Sequence, residues 1–419
     1  MIHSNVSPDA DDLSGAGSLQ ETFPSSEITN TTSDYLIVTL LATGLAAIKA
    51  NQVQRDADRG VISTRRLSRS DLLPAPWRAG FARLWWRFQQ AGLTAPEDDL
   101  TLFELCRTPF VEWDVQLELS ATDREASLLD GDELSELARE AAKLGVRDVE
   151  ADFVEEQSFA VLKAVAAMNA TTDDQVQANY ELLRRFLIDH TVISDKQVRE
   201  LMRRFPAPGA NGQPYVQSLI DTAYERHHSP TPTVTVRCCD GCGNPLPVDG
   251  ARCGTAGCAG APATRELRVF DAYFAQHRGV RRYIHDAGLL EVRLHDTLRA
   301  ALPEHVVFLQ PWPGRDAFDL LVAFLDPADP DPRRPVEVWG ADGKDHASPS
   351  LLAIGFRWKH HPRCDRRFLV LPMHRARQLG YVRDLETELE GRDRGVKVIN
   401  EEEFVRLVIA RAQQIGGGA

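Results

Sequence analysis

Five of the seven cysteines in this chain fall between Cys238 and Cys258, in the string RCCDGCGNPLPVDGARCGTAGC. This cluster constrains the fold more than any other feature. A disulfide framework spreads its cysteines along a short secreted chain, whereas a tight cluster inside 419 residues points to a metal. Cys239 and Cys242 form a C-x2-C pair, and Cys253 and Cys258 follow as a C-x4-C pair. Zn²⁺ accepts a tetrahedron of thiolates, and two facing cysteine loops supply one. Gly241, Gly243 and Gly254 suit the tight turns of such loops. Cys238 competes with Cys239, but Cys239 is preferred because it completes the C-x2-C spacing. Four thiolates leave no open position for a substrate, so the expected zinc site is structural. Cys106 and Cys364 are isolated and read as ordinary thiols.

The cluster divides the chain. Residues 1–32 are rich in Ser, Asp, Gly, Asn and Thr and read as a flexible tail. Residues 33–228 show mainly helical periodicity, with helices expected at 35–50, 77–91, 132–144, 152–168, 174–190, 195–205 and 216–226. Within 174–190, Val176, Tyr180, Leu183, Phe186 and Leu187 make one apolar stripe. Trp85 and Trp86 lie in such a pattern and are read as core packing rather than as a stacking platform for bases. Residues 227–234, HHSPTPTV, read as a linker, and 235–263 as a small zinc ribbon. A helix is expected at 265–279 and another at 280–302. Strands at 305–310, 318–324 and 336–341 follow, then a helix at 349–356, a strand at 368–371, a helix at 375–390, a strand at 396–399 and a helix at 401–413. The expected fold is therefore α+β and multidomain: a mostly helical N-terminal region, a small four-cysteine zinc ribbon, and an α/β domain over 265–415.

Charge follows the same division. The net charge is −13, but residues 265–419 carry 24 basic against 23 acidic side chains, and the first 264 residues carry 24 against 38. Such acidity argues against a non-specific nucleic-acid coat and leaves room for a local site in the balanced part. No apolar run reaches 18 residues and the N-terminus has no basic-then-apolar signal, so a cytoplasmic protein without membrane spans is expected.

The C-terminal part holds the candidate chemistry. One expected strand carries Asp319; the next, VEVWGADGKD, carries Asp342 and Lys344. Two carboxylates one strand spacing apart can share a hard divalent cation, Mg²⁺ or Mn²⁺, which takes one or two carboxylates plus water and phosphate oxygens. Residues 342 and 344 share a strand face, so Lys344 can reach an attacking water or developing phosphate charge while Asp342 holds the metal. Glu337 offers a rival register, but Trp339 then stands where the lysine belongs. Asp316 is a less favoured substitute for Asp319. Glu291, on the preceding helix, can complete the metal shell from a distance; the competing reading is a solvated helix residue. Arg357, Lys359, Arg363, Arg366 and Arg367 form a basic run suited to phosphate contact or to a solvated face, and His360 and His361 read as part of a polar loop.

At these residues the sequence resembles a known group. The string VWGADGKDHASP, with FDL upstream and the knuckle CDGCGNPL before it, resembles the PD-(D/E)xK restriction-endonuclease-fold protein associated with prokaryotic PIWI-RE systems. The resemblance spans residues 176–410 and takes in the lead-in RRFLIDHTVIS. It implies a nuclease acting on invading DNA beside an Argonaute-like PIWI-RE protein and a DinG-type helicase, with Asp319, Asp342 and Lys344 at the catalytic positions. The competing expectation is a catalytically inactive subunit whose nuclease fold and zinc ribbon bind nucleic acid or the PIWI-RE protein, while the acidic helical half docks partners.

Overall fold

The computed structural model describes residues 33–58, 73–145, 149–209, 212–246, 253–359, 361–390 and 395–416. The tail expected at 1–32 lies outside them, as do residues 247–252 of the cysteine loop and His360. The architecture is mixed α and β. Among the described residues no helix is long and apolar enough to cross a membrane.

The N-terminal part builds on α1 (Ser33–Asp58), α2 (Ala75–Gln90), α3 (Asp99–Cys106) and α4 (Glu136–Gly145). Their core holds Leu41, Leu45, Trp77, Leu84, Phe88 and Trp113. Glycines let α1 and α2 meet at backbone distance: a Cβ on Gly44 would lie 2.5 Å from Trp77 Cβ, and one on Gly80 would lie 2.9 Å from Leu41. Trp77 is the aromatic that fills this core. Trp85 and Trp86 do not pack inside as expected; they are 46% and 59% exposed, because their positions on α2 turn them away from α1.

A second helical group follows: α5 (Val149–Met168), α6 (Asp173–Asp189), α7 (Asp195–Arg204) and α8 (Val216–Ala223). The expected stripe on α6 is buried at Tyr180, Leu183 and Leu187. Thr172 caps α6 by accepting from Gln175 N–H, and Ser194 with Gln197 forms a capping box on α7, so short oxygen side chains set both starts.

Three strands accompany this group. β1 (Val192–Ser194) and β2 (Tyr224–His228) flank a later strand, and β3 (Thr233–Cys239) pairs with β4 (Pro262–Arg268) to make the ribbon. The later strand is β5 (Ala272–Gln276), antiparallel to both β1 and β2. The helix expected at 265–279 is therefore two strands. Leu267 and Val269 are buried, and burial along Ala272–Gln276 alternates, which is the period of a strand. The helix expected at 216–226 ends at Ala223, and His227 and His228 belong to β2 rather than to a linker.

The C-terminal part is a five-stranded mixed sheet between helices. After a wide π-type turn at Arg281–Asp286 come α9 (Ala287–Ala301), β6 (Val307–Pro311), β7 (Leu320–Phe324) and β8 (Glu337–Gly343). Then follow α10 (Pro349–Gly355), β9 (Arg366–Leu371), α11 (Tyr381–Glu390), β10 (Val396–Asn400) and α12 (Glu401–Gly416). The sheet order is β10-β9-β8-β7-β6; β8, β9 and β10 run parallel, and β6 and β7 are antiparallel to their neighbours. Alternate residues face opposite sides. Leu320, Val322, Trp339, Ala341 and Phe368 join Leu294 and Phe404 on one side, while Leu369 and Leu371 join Leu352 and Leu385 on the other. The helix expected at 375–390 is two pieces, Met373–Ala376 and α11, separated at Gly380, whose φ is 83°.

Gly44→Ala tests the α1–α2 contact. The added methyl meets the Trp77 backbone, so a loss of about 1–3 kcal/mol, the usual cost of overpacking, is expected as an earlier unfolding transition in urea.

Candidate functional site

β7 and β8 bring the two aspartates together. Leu320 pairs with Ala341, so Asp319 and Asp342 are the next residues along on each strand and stand opposite each other. Asp319 N–H donates to Ala341 O at 3.1 Å, and Lys344 N–H donates to Val370 O at 2.9 Å, which carries sheet bonding to the site's edge. Both carboxylates are almost fully buried, while the Lys344 side chain is 32% exposed and marks the open side. Lys344 Nζ lies 2.5 Å from Asp342 Oδ1 and 3.7 Å from Asp319 Oδ2. Asp319 Oδ2 also accepts from Gly343 N–H at 2.6 Å. Glycine fits there because a Cβ would come within 3.0 Å of Leu290.

The charges are unequal. Burial pushes the Asp342 carboxyl up to about 7; Lys344 opposes this and the Asp319 charge reinforces it. Burial also raises Asp319, but Lys344, Asp342, Arg184 and the Gly343 N–H outweigh it and hold Asp319 below the usual carboxylate range. Burial lowers Lys344, yet the two aspartates win and raise it. Two acidic groups around one ammonium thus share a small, dry space.

Glu291 is not the solvated helix residue of the competing reading. It is buried on α9, accepts from Arg184 Nη2 at 2.9 Å and 3.2 Å, and accepts from Trp312 Nε1 at 2.5 Å. Burial pushes its carboxyl up to about 8 against the pull of Arg184. Its oxygens are engaged by those donors, and its charge is also felt at Lys344. Glu337 is likewise engaged: it accepts from Trp339 Nε1 and Arg411 at 2.7 Å and pairs with Arg366 at 2.9 Å. Part of the basic run is therefore structural, since Arg366 holds Glu337 and Lys359 Nζ donates to Asp316 O at 3.0 Å.

Sequence reasoning missed what holds Asp319 in place. The loop before it turns through left-handed backbone at Trp312, Gly314, Arg315 and Asp316, with φ of 48°, 61°, 59° and 88°. Three of these are not glycine, so the loop needs outside restraint. Helix α6 supplies it. Gln177 donates to Trp312 O at 2.9 Å and accepts from Arg315 N–H at 3.1 Å. Further along the same helix, Arg184 pairs with Asp316 as well as Glu291, and its guanidinium lies 4.9 Å from the Trp312 ring centre. Trp312 N–H in turn donates to Asp319 O at 2.9 Å. The signal was present in the lead-in RRFLIDH, which contains Arg184, but nothing in its spacing reveals a partner over a hundred residues away.

The four cysteines form a second centre. Cys239, Cys242, Cys253 and Cys258 place their sulfurs within 4.8 Å of one another; among the described residues this is the group of three or more metal-ligating side chains so close. Cys239 Sγ lies 3.5 Å from Cys258 Sγ, and Cys242 Sγ lies 3.4 Å from Cys253 Sγ. Zn–S bonds of ~2.3 Å in a tetrahedron put sulfurs roughly 3.8 Å apart, so the set fits zinc. Burial raises the Cys239 thiol, but N–H groups of Cys242 and Gly241 bring it down to about 7. Cys238 takes no part, as its side chain alternates away from Cys239 along β3. Burial pushes Cys106 and Cys364 up to about 12, in keeping with unreactive thiols.

The ribbon is fixed to the rest. Thr191 Oγ1 donates to Gly243 O at 2.5 Å, and Asn244 Nδ2 donates to Asp286 at 2.7 Å. A Cβ on Gly257 would strike His374, which lies 3.1 Å from Asp345, the neighbour of Lys344.

Residues 288–415 match the family model of pPIWI_RE_REase, described as a restriction endonuclease (REase) associating with pPIWI_RE. This segment is a restriction-endonuclease-type domain of the pPIWI-RE-associated kind. The matched segment starts within α9 and includes Asp319, Asp342 and Lys344; it begins well after residue 176, where the sequence resemblance starts. Comparison with curated proteins finds no match, and comparison with solved structures finds none either.

Removing Arg184 tests the restraint on the loop. Arg184→Ala leaves Glu291 buried without its cation, so a loss of about 3–5 kcal/mol is expected, read as a lower urea midpoint; Arg185→Ala, which removes an exposed pair, should shift it far less.

Proposed function

We propose that this chain is a metal-dependent DNA endonuclease of a prokaryotic defence system, acting with an Argonaute-like PIWI-RE protein and a DinG-type helicase. The observation that carries the reading is the convergence of Asp319, Asp342 and Lys344 at one end of the inner strands β7 and β8, inside the segment that matches an REase family. The partner proteins rest on the family description and on the sequence resemblance.

The donor set suits a hard cation. Asp319 and Asp342 offer opposed carboxylates, and Mg²⁺ or Mn²⁺ takes one or two of these with water and phosphate completing the shell. Bound there, the ion supplies a lowered water pKa and a clamp on the scissile phosphate. Lys344 holds a positive charge where a phosphate oxygen gathers negative charge, and its part-exposed side chain faces the side from which a backbone enters. Gly343 N–H and the loop at Trp312–Asp316 keep Asp319 in register, so the site costs little reorganisation during reaction.

Zinc belongs to the ribbon in the same proposal. The four sulfurs leave no place for substrate, and the described ribbon adds few large apolar side chains beyond Val192, Leu267 and Val269 to its core, so metal binding is folding energy.

Supercoiled plasmid and linear duplex, incubated with the full chain and Mg²⁺ or Mn²⁺, provide the test. Nicking or cleavage is expected, with Asp342→Ala and Lys344→Ala each slower by about 10²–10³-fold. Equal cleavage by either variant overturns the site. Retained DNA binding without turnover under any divalent cation, even with the pPIWI-RE protein added, assigns the chain to a binding role instead.

Metal analysis of the purified chain is expected to give about one zinc per molecule. Cys239→Ser with Cys242→Ser should abolish that zinc and lower the melting temperature, whereas Cys238→Ser should retain both.

A further inference from the structure

The face of α2 turned away from the core is unusual in an acidic half of the chain. It presents Trp85, Trp86, Arg78 and Arg83, all exposed, with Gln89 and Gln90. Helix α2 contains three arginines and no acidic residue. Arg87 is engaged by Asp34 at 2.8 Å, whereas Arg78 and Arg83 make no ion pair among the described residues. Ala82 lies between Arg78 and the two indoles, and Arg83 neighbours Trp86, because residues three and four apart are neighbours on a helix. The result is two exposed indoles at adjacent positions with two cations on their N-terminal side.

A cleft of about 540 Å³ opens beside Trp85, lined by Phe81, Gln89, Leu93, Thr94 and Pro96, with Glu97 at its rim. It is the size of a pocket for a small planar group. Two exposed tryptophans are costly to leave against water unless something stacks on them. The charges decide what. A protein partner for an otherwise acidic region would call for any complementary surface, but exposed indoles beside arginines on a helix that carries no acidic residue match a strand that offers phosphates and unpaired bases at once.

We propose that this face of α2 binds single-stranded DNA, with Trp85 and Trp86 stacking on successive bases and Arg78 and Arg83 pairing with the phosphates. That the strand is DNA rests on the endonuclease reading above; the stacking and phosphate contacts do not.

Fluorescence anisotropy of labelled oligo-dT with the full Asp342→Ala chain, without divalent metal, separates the two readings, since cleavage plays no part in it. The double variant Trp85→Ala/Trp86→Ala is expected to weaken binding by at least about tenfold, and Trp85→Phe/Trp86→Phe to restore it to within about threefold. Arg78→Gln/Arg83→Gln should flatten the dependence of affinity on salt. Thermal melting checks that each variant folds, which these exposed positions favour. Oligo-dT binding within about twofold of the parent by the alanine variant overturns the proposal, as does equal loss in the phenylalanine variant. Tighter binding of oligo-U than oligo-dT by about tenfold overturns the assignment to DNA. Self-association that the alanine variant abolishes, with oligo-dT binding unchanged, makes the face an interface between copies and also overturns it. Failure of plasmid cleavage with this binding intact would count against the endonuclease reading alone.

Discussion

A buried guanidinium organises the centre of this molecule. Arg184 stands 4% exposed on α6, between Glu291 of α9 and Asp316 of the loop before Asp319. A charge so deep is tolerable only when its partners are in place, and removing one partner leaves the other uncompensated. Burial would lower the Arg184 pKa, but Glu291 and Asp316 dominate and keep it charged. The helical part and the endonuclease-type segment are thereby tied through one side chain, and the left-handed loop that carries Trp312 toward Asp319 is held by the same contact.

The other flank of the site is held differently. The chain leaving Lys344 runs at once into contacts with the first helical group. Glu140 accepts from Ala347 N–H at 2.7 Å, Ser348 Oγ donates to Asp123 at 2.8 Å, and buried Arg375 joins Asp345 to Glu136. Burial pushes Asp123 up to about 6 despite hydrogen bonds from Tyr35, Ser348 and Ser120. The zinc-ribbon loop at Gly257 approaches through His374. Three separate parts of the chain therefore converge on the few residues either side of Asp342 and Lys344. Such bracing gives two buried aspartates rigid surroundings.

The acidic excess also gains a location. It belongs mainly to residues before 265, where some carboxylates pair internally, as Asp34 with Arg87 and Glu136 with Arg375. Helix α2 departs from this background with exposed arginines and tryptophans on one face. The background makes that face conspicuous, since a uniformly basic surface would not distinguish one helix from another.

Several features were legible in the chain alone because they depend on local spacing. The C-x2-C and C-x4-C pairs identified the four sulfurs that meet, and D-x-K with an upstream aspartate identified the groups that the strands bring together. Periodicity found α6 and α7, and the strand-helix order after residue 300. It failed where a short amphipathic stretch fits two periods, as at Leu267–Phe274, because only pairing with β3 and with β1 and β2 decides for strands. It also misplaced Trp85 and Trp86, since a helix pattern shows which residues share a face but not which face meets a neighbour. Glu291 shows the same limit. The sequence allowed a distant metal-shell role or a solvated residue, and the structure removes the solvated reading by burying it against Arg184 and Trp312 from distant segments. Spacing thus determined which groups have the right chemistry, and tertiary packing decided which of them are free to use it, because a side chain's role is fixed by whatever else occupies its surroundings.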